Sequence, residues 1–165
     1  MNTNQEFETA YLASGCFWGT QYHLSKMEGV IATYVGYMGG EVDTPTYEQV
    51  KSGTTGHVET VMVLFDPRKT SYLKLLRLYF ETHDFTQVGG QGPDIGTQYK
   101  SVIFYCNDEQ HYAAEESFEI LTGMGYQVAT LLKPAEVFWM AEEYHQLYYD
   151  KNGDTPYCHI YRKVF

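Results

Sequence analysis

The run Ser101-Val102-Ile103-Phe104-Tyr105-Cys106 most limits what this chain can become. It is almost unbroken in apolar residues, and a strand of that kind needs cover on both faces, which places it inside a sheet. Val58 to Asp66 is the clearest strand, and because side chains alternate, Glu59 shares a face with Val61, Val63 and Phe65. Ala10-Tyr11-Leu12-Ala13 and Val30-Ile31-Ala32-Thr33-Tyr34-Val35 read as two more strands. Helical spacing appears at Tyr72, Leu73, Leu76, Tyr79 and Phe80, capped by Thr70 or Ser71, and again from Asn107 or Asp108 through Glu119 and Leu121, broken by Gly123 and Gly125. Val128 to Leu132 and Val137 to Trp139 read as short strands, and Tyr144, Leu147 and Tyr148 as a last short helix. Gly36, Gly39, Gly40 and Pro45 mark one long connection, and the glycine-rich segment from Phe85 to Gln98 a second. The order of elements gives an α+β fold, a helix-backed sheet with long loops at one end and a C-terminal tail without a clear period. With no repeat or linker visible, residues 1–165 are read as one domain, a monomer that folds alone.

A net charge of −10 repels phosphate backbones and anionic lipid, so neither nucleic acid nor a membrane is an expected partner. No secretory signal is visible at the N-terminus, and no stretch approaches the roughly 20 apolar residues of a membrane span. Cys16, Cys106 and Cys158 are odd in number and far apart, which fits a reducing cytoplasm rather than a disulfide framework.

Gly15-Cys16-Phe17-Trp18-Gly19 lies where a strand gives way to a helix. A thiol there sits near free backbone N–H groups whose partial positive charge favours thiolate. The glycines leave room for a substrate to reach the sulfur, and Phe17 and Trp18 supply apolar walls. Equally, Cys16 reads as a small core hydrophobe. Glu59 is a candidate general acid if its strand face is buried, because desolvation raises a carboxylic acid's pKa, whereas near the strand end it stays solvated. Tyr47 sits in or after the first long loop, as a functional or a loop-packing side chain. Cys106, at the end of its apolar strand, is expected to be core and unreactive.

Other chemistries find less support. Zinc would want clustered ligands, and Cys158-His159 is the one local pair, so no metal is expected. A thioredoxin-like redox motif needs Cys-x-x-Cys, which Cys16 lacks. A cysteine hydrolase partnered by His57, His83 or His111 stays open, as does an aromatic binding module, while the glycine clusters lack the lysine of a phosphate loop.

Gly-Cys-Phe-Trp-Gly, Gly-Thr-Thr-Gly-His-Val-Glu leading into a strand that ends Phe-Asp-Pro, and Gln-Gly-Pro-Asp-Ile-Gly-Thr-Gln-Tyr together resemble the A-type peptide methionine sulfoxide reductases from about Thr9 to Tyr148. The resemblance implies a two-layer α/β sandwich, ferredoxin-like, with a mixed, mainly antiparallel sheet. It implies reduction of methionine-S-sulfoxide, free or in oxidised proteins, with no bound cofactor and with thioredoxin or a dithiol as reductant. Carried onto this sequence, Cys16 would be the nucleophile, Phe17 and Trp18 the pocket for the S-methyl group, and Glu59 the proton donor. Tyr47 and Tyr99 would hydrogen-bond the sulfoxide oxygen, Asp94 would hold the substrate, and Cys158 in the tail would resolve the sulfenic acid. Thr44 stands where asparagine commonly precedes Pro45, and Phe85 where proline commonly follows His83-Asp84.

Overall fold

The structure, a computed structural model, describes residues 6–157 and 159–165. Strand β1 (Glu8–Ser14) runs into helix α1 (Phe17–Ser25), which returns the chain to β2 (Val30–Met38). A short helix α2 (Tyr47–Lys51) precedes β3 (Val58–Phe65) and α3 (Tyr72–Glu81). Then come a miniature hairpin of β4 (Gly90–Gln91) and β5 (Asp94–Ile95), strand β6 (Ser101–Tyr105) and helix α4 (Asp108–Gly123). The edge strands β7 (Leu131–Pro134) and β8 (Trp139–Met140) and helix α5 (Tyr148–Asn152) complete the order.

The main sheet has the order β7-β6-β1-β3-β2-β8. Its pairs are antiparallel except β6 with β7. Within it, β1, α1, β2, β3, α3 and β6 make two split β-α-β units whose strands lie β6-β1-β3-β2, which is the ferredoxin-like order. The α+β expectation and the mixed, mainly antiparallel sheet both hold.

Ala10 and Leu12 of β1, Val61, Val63 and Phe65 of β3 and Ile103 of β6 meet Leu24 of α1 and Leu75, Leu76, Tyr79 and Phe80 of α3 in one buried layer. On the other face Ala13, Met38, Val58, Val102 and Phe104 form a smaller cluster, covered by Ala135 and Phe138. Each fully buried Leu, Val or Phe contributes roughly 1.5–3 kcal/mol, so the helix side dominates stability. The second cluster explains why β6 is apolar on both faces.

Ser71 caps α3, accepting from the Lys74 N–H at 3.2 Å, and Asn107 caps α4, accepting from the Gln110 N–H at 2.9 Å. Some expectations shift. Strand β2 continues through Gly36, where a Cβ would strike Phe138 and the Trp139 carbonyl, so glycine there admits the β8 edge. Strand β7 begins at Leu131 rather than Val128, because Ala129 gives its N–H to the Phe85 carbonyl (2.7 Å) and Thr130 bonds the Ser101 hydroxyl (2.7 Å). Cys106 is not core: β6 ends at Tyr105, and the next residue turns outward into the α4 cap, leaving its side chain exposed. No helix among the described residues is long and apolar enough to cross a membrane.

Candidate active site

Cys16 is the residue before α1, and its carbonyl accepts the first helical N–H groups, from Gly19 at 3.2 Å and Thr20 at 3.4 Å. Its half-buried side chain therefore sits at the mouth of a nine-residue helix. Gly15 has φ +95°, a left-handed turn that favours glycine. The expectation that both glycines clear a path for substrate is corrected by what lies beside them. A Cβ on Gly19 would overlap the His159 ring, and one on Gly15 would come within 2.5 Å of the Gln91 Cβ. The glycines let His159 and Gln91 close against the cysteine loop.

Glu59, one residue into β3, is 2% exposed, which decides between its buried and solvated readings. Its Oε1 accepts the Phe17 backbone N–H at 3.2 Å. Burial pushes its carboxyl up to about 8, the Phe17 N–H opposing and the charge of Asp94 adding to the rise. A proton is thus held beside the thiol at neutral pH.

Tyr47 opens α2, where Thr46 accepts from the Gln49 N–H (3.2 Å) while the Gln49 side chain accepts the Thr46 N–H (2.9 Å), a reciprocal cap that fixes the turn. Burial, and then the nearby Glu59, push the Tyr47 hydroxyl up to about 12 and raise that of Tyr99 as well. Both remain O–H donors. Asp94 comes from β5, and its two carboxylate oxygens accept the Tyr157 hydroxyl at 3.1 and 3.0 Å.

Seven of the eight residues expected to form the site line one cleft of about 130 Å³: Cys16, Phe17, Trp18, Tyr47, Glu59, Asp94 and Tyr99, joined by Tyr157. The eighth, Cys158, lies outside the described residues. A larger cavity of about 630 Å³, between the end of α3 and the tail, shares only Tyr157 with the cleft and brings together neither a thiol nor a comparable set of donors. Among the described residues no group of histidine, cysteine and carboxylate side chains is placed to hold a metal.

Four residues around the cleft escaped the sequence reading. Glu142 accepts the Tyr37 hydroxyl at 3.0 Å and the Tyr47 N–H at 3.1 Å. Burial alone would raise its carboxyl, yet its own N–H, that of Tyr47 and the Tyr37 hydroxyl together hold it below the ordinary value. His145 is fully buried and accepts the Trp18 indole N–H on Nδ1 at 2.9 Å. His159 donates from Nε2 to the Ser14 carbonyl at 2.6 Å, and its own carbonyl accepts from His23 Nε2. Burial lowers the His159 ring to about 4, so it stays neutral. Beyond it the tail is docked, Arg162 and Val164 giving their N–H groups to the Glu81 carbonyl and carboxylate at 2.7 Å each. Tyr157 is the fourth. For Glu142 and His145 the available signal was the group of polar residues Glu142, Glu143, His145 and Gln146 around the start of the short helix expected at Tyr144, Leu147 and Tyr148.

The two departures from the resembled pattern also have structural consequences. Thr44 adopts φ +46°, a left-handed angle that asparagine takes more readily than a β-branched residue. Phe85, 1% exposed, packs against Phe80 and Tyr126 with ring centroids 5.5 and 5.0 Å away.

Comparison with known proteins extends over almost the entire chain. The peptide methionine sulfoxide reductase family model matches residues 8–165. The peptide methionine sulfoxide reductase MsrA of Saccharolobus solfataricus is 47% identical over 154 residues, covering 93% of this chain and 87% of that relative. The crystal structure of Mxr1 from Saccharomyces cerevisiae in reduced form is similar at a TM-score of 0.87 and 34% identity, covering 99% of this chain and 96% of that one. Mxr1 in complex with Trx2 has a TM-score of 0.65 at 22% identity, covering 99% and 95%, a likeness that speaks for the fold alone. A family match from the first strand to the last residue, carried by relatives of nearly equal length, means that this chain belongs to the peptide methionine sulfoxide reductase family.

Proposed function

We propose that Cys16 carries out the reaction of this family, reduction of methionine sulfoxide, by attacking the sulfoxide sulfur as a thiolate. Attack joins the Cys16 sulfur to the substrate sulfur. The oxygen then passes from the substrate sulfur to Cys16 as the S–O bond and the new S–S bond break, leaving Cys16 as sulfenic acid and releasing the sulfide as methionine. One proton is needed for that transfer, and Glu59 supplies it. The observation that carries this reading is Glu59 itself: 2% exposed, protonated up to about 8, and lining the same cleft as Cys16. A sulfoxide sulfur is a poor electrophile, and its oxygen leaves poorly, until that oxygen is protonated or hydrogen-bonded, and the hydroxyls of Tyr47 and Tyr99 supply the donors. Phe17 and Trp18 receive the S-methyl group, and Asp94 holds the remainder of the substrate. Donors on one side and aromatic rings on the other favour a single epimer, the S form, whether free or in an oxidised protein.

The sulfenic acid then condenses with a second thiol, releasing water and leaving a disulfide. Cys158 in the tail is the resolving thiol of this reading. Cys106 makes a poor one: it lies against the Thr9 carbonyl, seven residues along the β1 direction from Cys16, roughly 20 Å at strand rise. Thioredoxin is the reductant of this reading: Mxr1, which in its reduced form is 34% identical to this chain, is a protein also known in complex with Trx2. One continuous sheet and a family match over residues 8–165 support one domain across residues 1–165. The acidic charge and sparse cysteines support a cytoplasmic monomer.

The test is a single turnover of the reduced protein with separate S and R epimers and no reductant. One methionine per chain from the S epimer with two thiols lost is expected. One thiol lost would remove Cys158 from the mechanism, and no methionine from either epimer would overturn the reading.

A further inference from the structure

His145 lines no part of the cleft, yet it touches three residues that do. Its ring lies 5.2 Å from that of Phe17, 4.4 Å from that of Tyr47 and 5.6 Å from that of Trp18, centroid to centroid. An indole N–H only donates, so the Trp18 bond to Nδ1 leaves the imidazole proton on Nε2. That N–H is buried and meets no hydrogen-bond partner among the described residues. A fold keeps such a deficit only where something else is gained.

The ring is also anchored by its neighbours in sequence. Glu142 holds Tyr37 and Tyr47, and Gln146 brackets Val35, accepting its N–H and donating to its carbonyl at 2.9 Å each. His145 therefore cannot drift relative to β2. Trp18 in turn stacks on Tyr148 at 3.7 Å with 9° between planes. Stacking fixes the plane of an indole but resists sliding and rotation within that plane only weakly. The bond to Nδ1 supplies the missing directional restraint.

We propose that His145 is a positioning residue that sets the in-plane orientation of Trp18 through its Nδ1 acceptor, and so sets affinity for the methyl end of the sulfoxide. This rests on the reading above in which Trp18 receives that methyl group. The unpaired Nε2 proton is the cost of presenting a lone pair to the indole.

The test compares His145→Asn with His145→Gln in the full chain. The asparagine amide oxygen falls near the position of Nδ1 and accepts from Trp18, whereas a glutamine amide reaches toward Nε2. Glutamine is the closer match in size, so a merely space-filling role makes it the milder change. The proposal reverses that order. KM for a blocked methionine-S-sulfoxide rises about tenfold in the glutamine variant and less than about threefold in the asparagine variant, with kcat held within about twofold in both. In a Trp139→Phe background Trp18 is the sole indole, and its emission moves to shorter wavelength in the glutamine variant alone. Equal KM values, or a milder glutamine variant, overturn the proposal.

Should both variants fail to fold, the unaltered protein still decides. A bonded, buried indole N–H of Trp18 exchanges slowly with solvent by NMR, and immediate exchange sinks the proposal. Failure of the wild type to reduce either epimer would instead overturn the functional reading, leaving the exchange result to judge the Trp18–His145 bond alone.

Discussion

Glu59 and Glu142 flank the same tyrosine with the same side chain and end in opposite protonation states. Glu59 lies on the buried face of β3 and accepts one backbone N–H, from Phe17. One donor does not offset the loss of water, so its proton is retained to about 8. Glu142 is half-buried beside a turn of 3₁₀-helix and accepts from Tyr37 and Tyr47, with its own N–H adding to these. There the donors win, and the carboxyl loses its proton more readily than usual. Burial alone makes neither an acid nor an anchor. The balance of donors against desolvation assigns the roles, one carboxyl giving a proton and the other holding Tyr47 in place.

The sharpest way to break this comparison is Glu59→Gln. Glutamine keeps the shape and the Phe17 contact but has no proton to give, so sulfoxide reduction falls on the order of 10²- to 10⁴-fold. In the wild type, turnover falls as pH rises through about 8, where the acid form is lost, and the variant should lack that limb. Stability carries a matching sign. The folded pKa lies above the unfolded one, so this group's contribution is complete below roughly 4.5 and is lost as pH rises to about 8. Urea unfolding at pH 5 and pH 9 checks it: the wild type should lose stability across that interval, and the variant should lose less.

Tyr47 connects the two carboxyls, its hydroxyl sharing the cleft with Glu59 and its N–H bound to Glu142. Tyr47→Phe removes the hydroxyl and leaves the N–H, so it tests the acid side alone. Removing one of two donors to the sulfoxide oxygen forfeits one hydrogen bond and should cost about tenfold in kcat, and Tyr47→Phe with Tyr99→Phe together about a hundredfold. Steady-state rates with unchanged unfolding midpoints would support that division, and a loss of stability equal to that of a Glu142 variant would break it.

The acid half of this pair was legible in the sequence and the anchor half was not, for a physical reason. Strand alternation alone placed Glu59 on the face of Val61, Val63 and Phe65, all fully buried. The resemblance gathered Cys16, Phe17, Trp18, Tyr47, Asp94 and Tyr99 into one site, and the cleft contains all six. Glu142, His145 and His159 act through partners 95 to 145 residues away, at Tyr47, Trp18 and Ser14. Periodicity reports which face of an element a residue occupies and is silent on which distant element that face meets. Cys106 failed for a local reason: the strand pattern extends one residue past Tyr105, and there the turn into α4 reverses the side chain's exposure.

Glu142→Gln sharpens the comparison from the other side. It turns one acceptor oxygen into a donor facing a phenol or an amide N–H, which costs about 1–3 kcal/mol. Turnover should fall about tenfold, since Tyr47 is displaced rather than removed. The pH dependence has the opposite sign to that of Glu59. The folded pKa of Glu142 is lowered, so its stabilisation is complete above the ordinary carboxylate value and is lost as pH falls through the folded one. Acid unfolding followed from pH 6 to pH 3 should therefore be shallower in the variant than in the wild type.

The smallest expected effect is at Thr44, in the loop that delivers Tyr47. Glu59 stands on a regular strand whose register is fixed by pairing with both β1 and β2. The Tyr47 side depends instead on a turn in which Thr44 takes φ +46°. A β-branched residue resists that angle, and asparagine accepts it, so Thr44→Asn should stabilise the fold by about 1 kcal/mol. The Glu59 limb near pH 8 should not move, because nothing on β3 changes. A urea midpoint that rises with kcat unaltered would show that the anchor side carries backbone strain that the acid side does not. A midpoint that stays put would mean that the reciprocal cap at Thr46 and Gln49, with Glu142 behind it, already absorbs the cost.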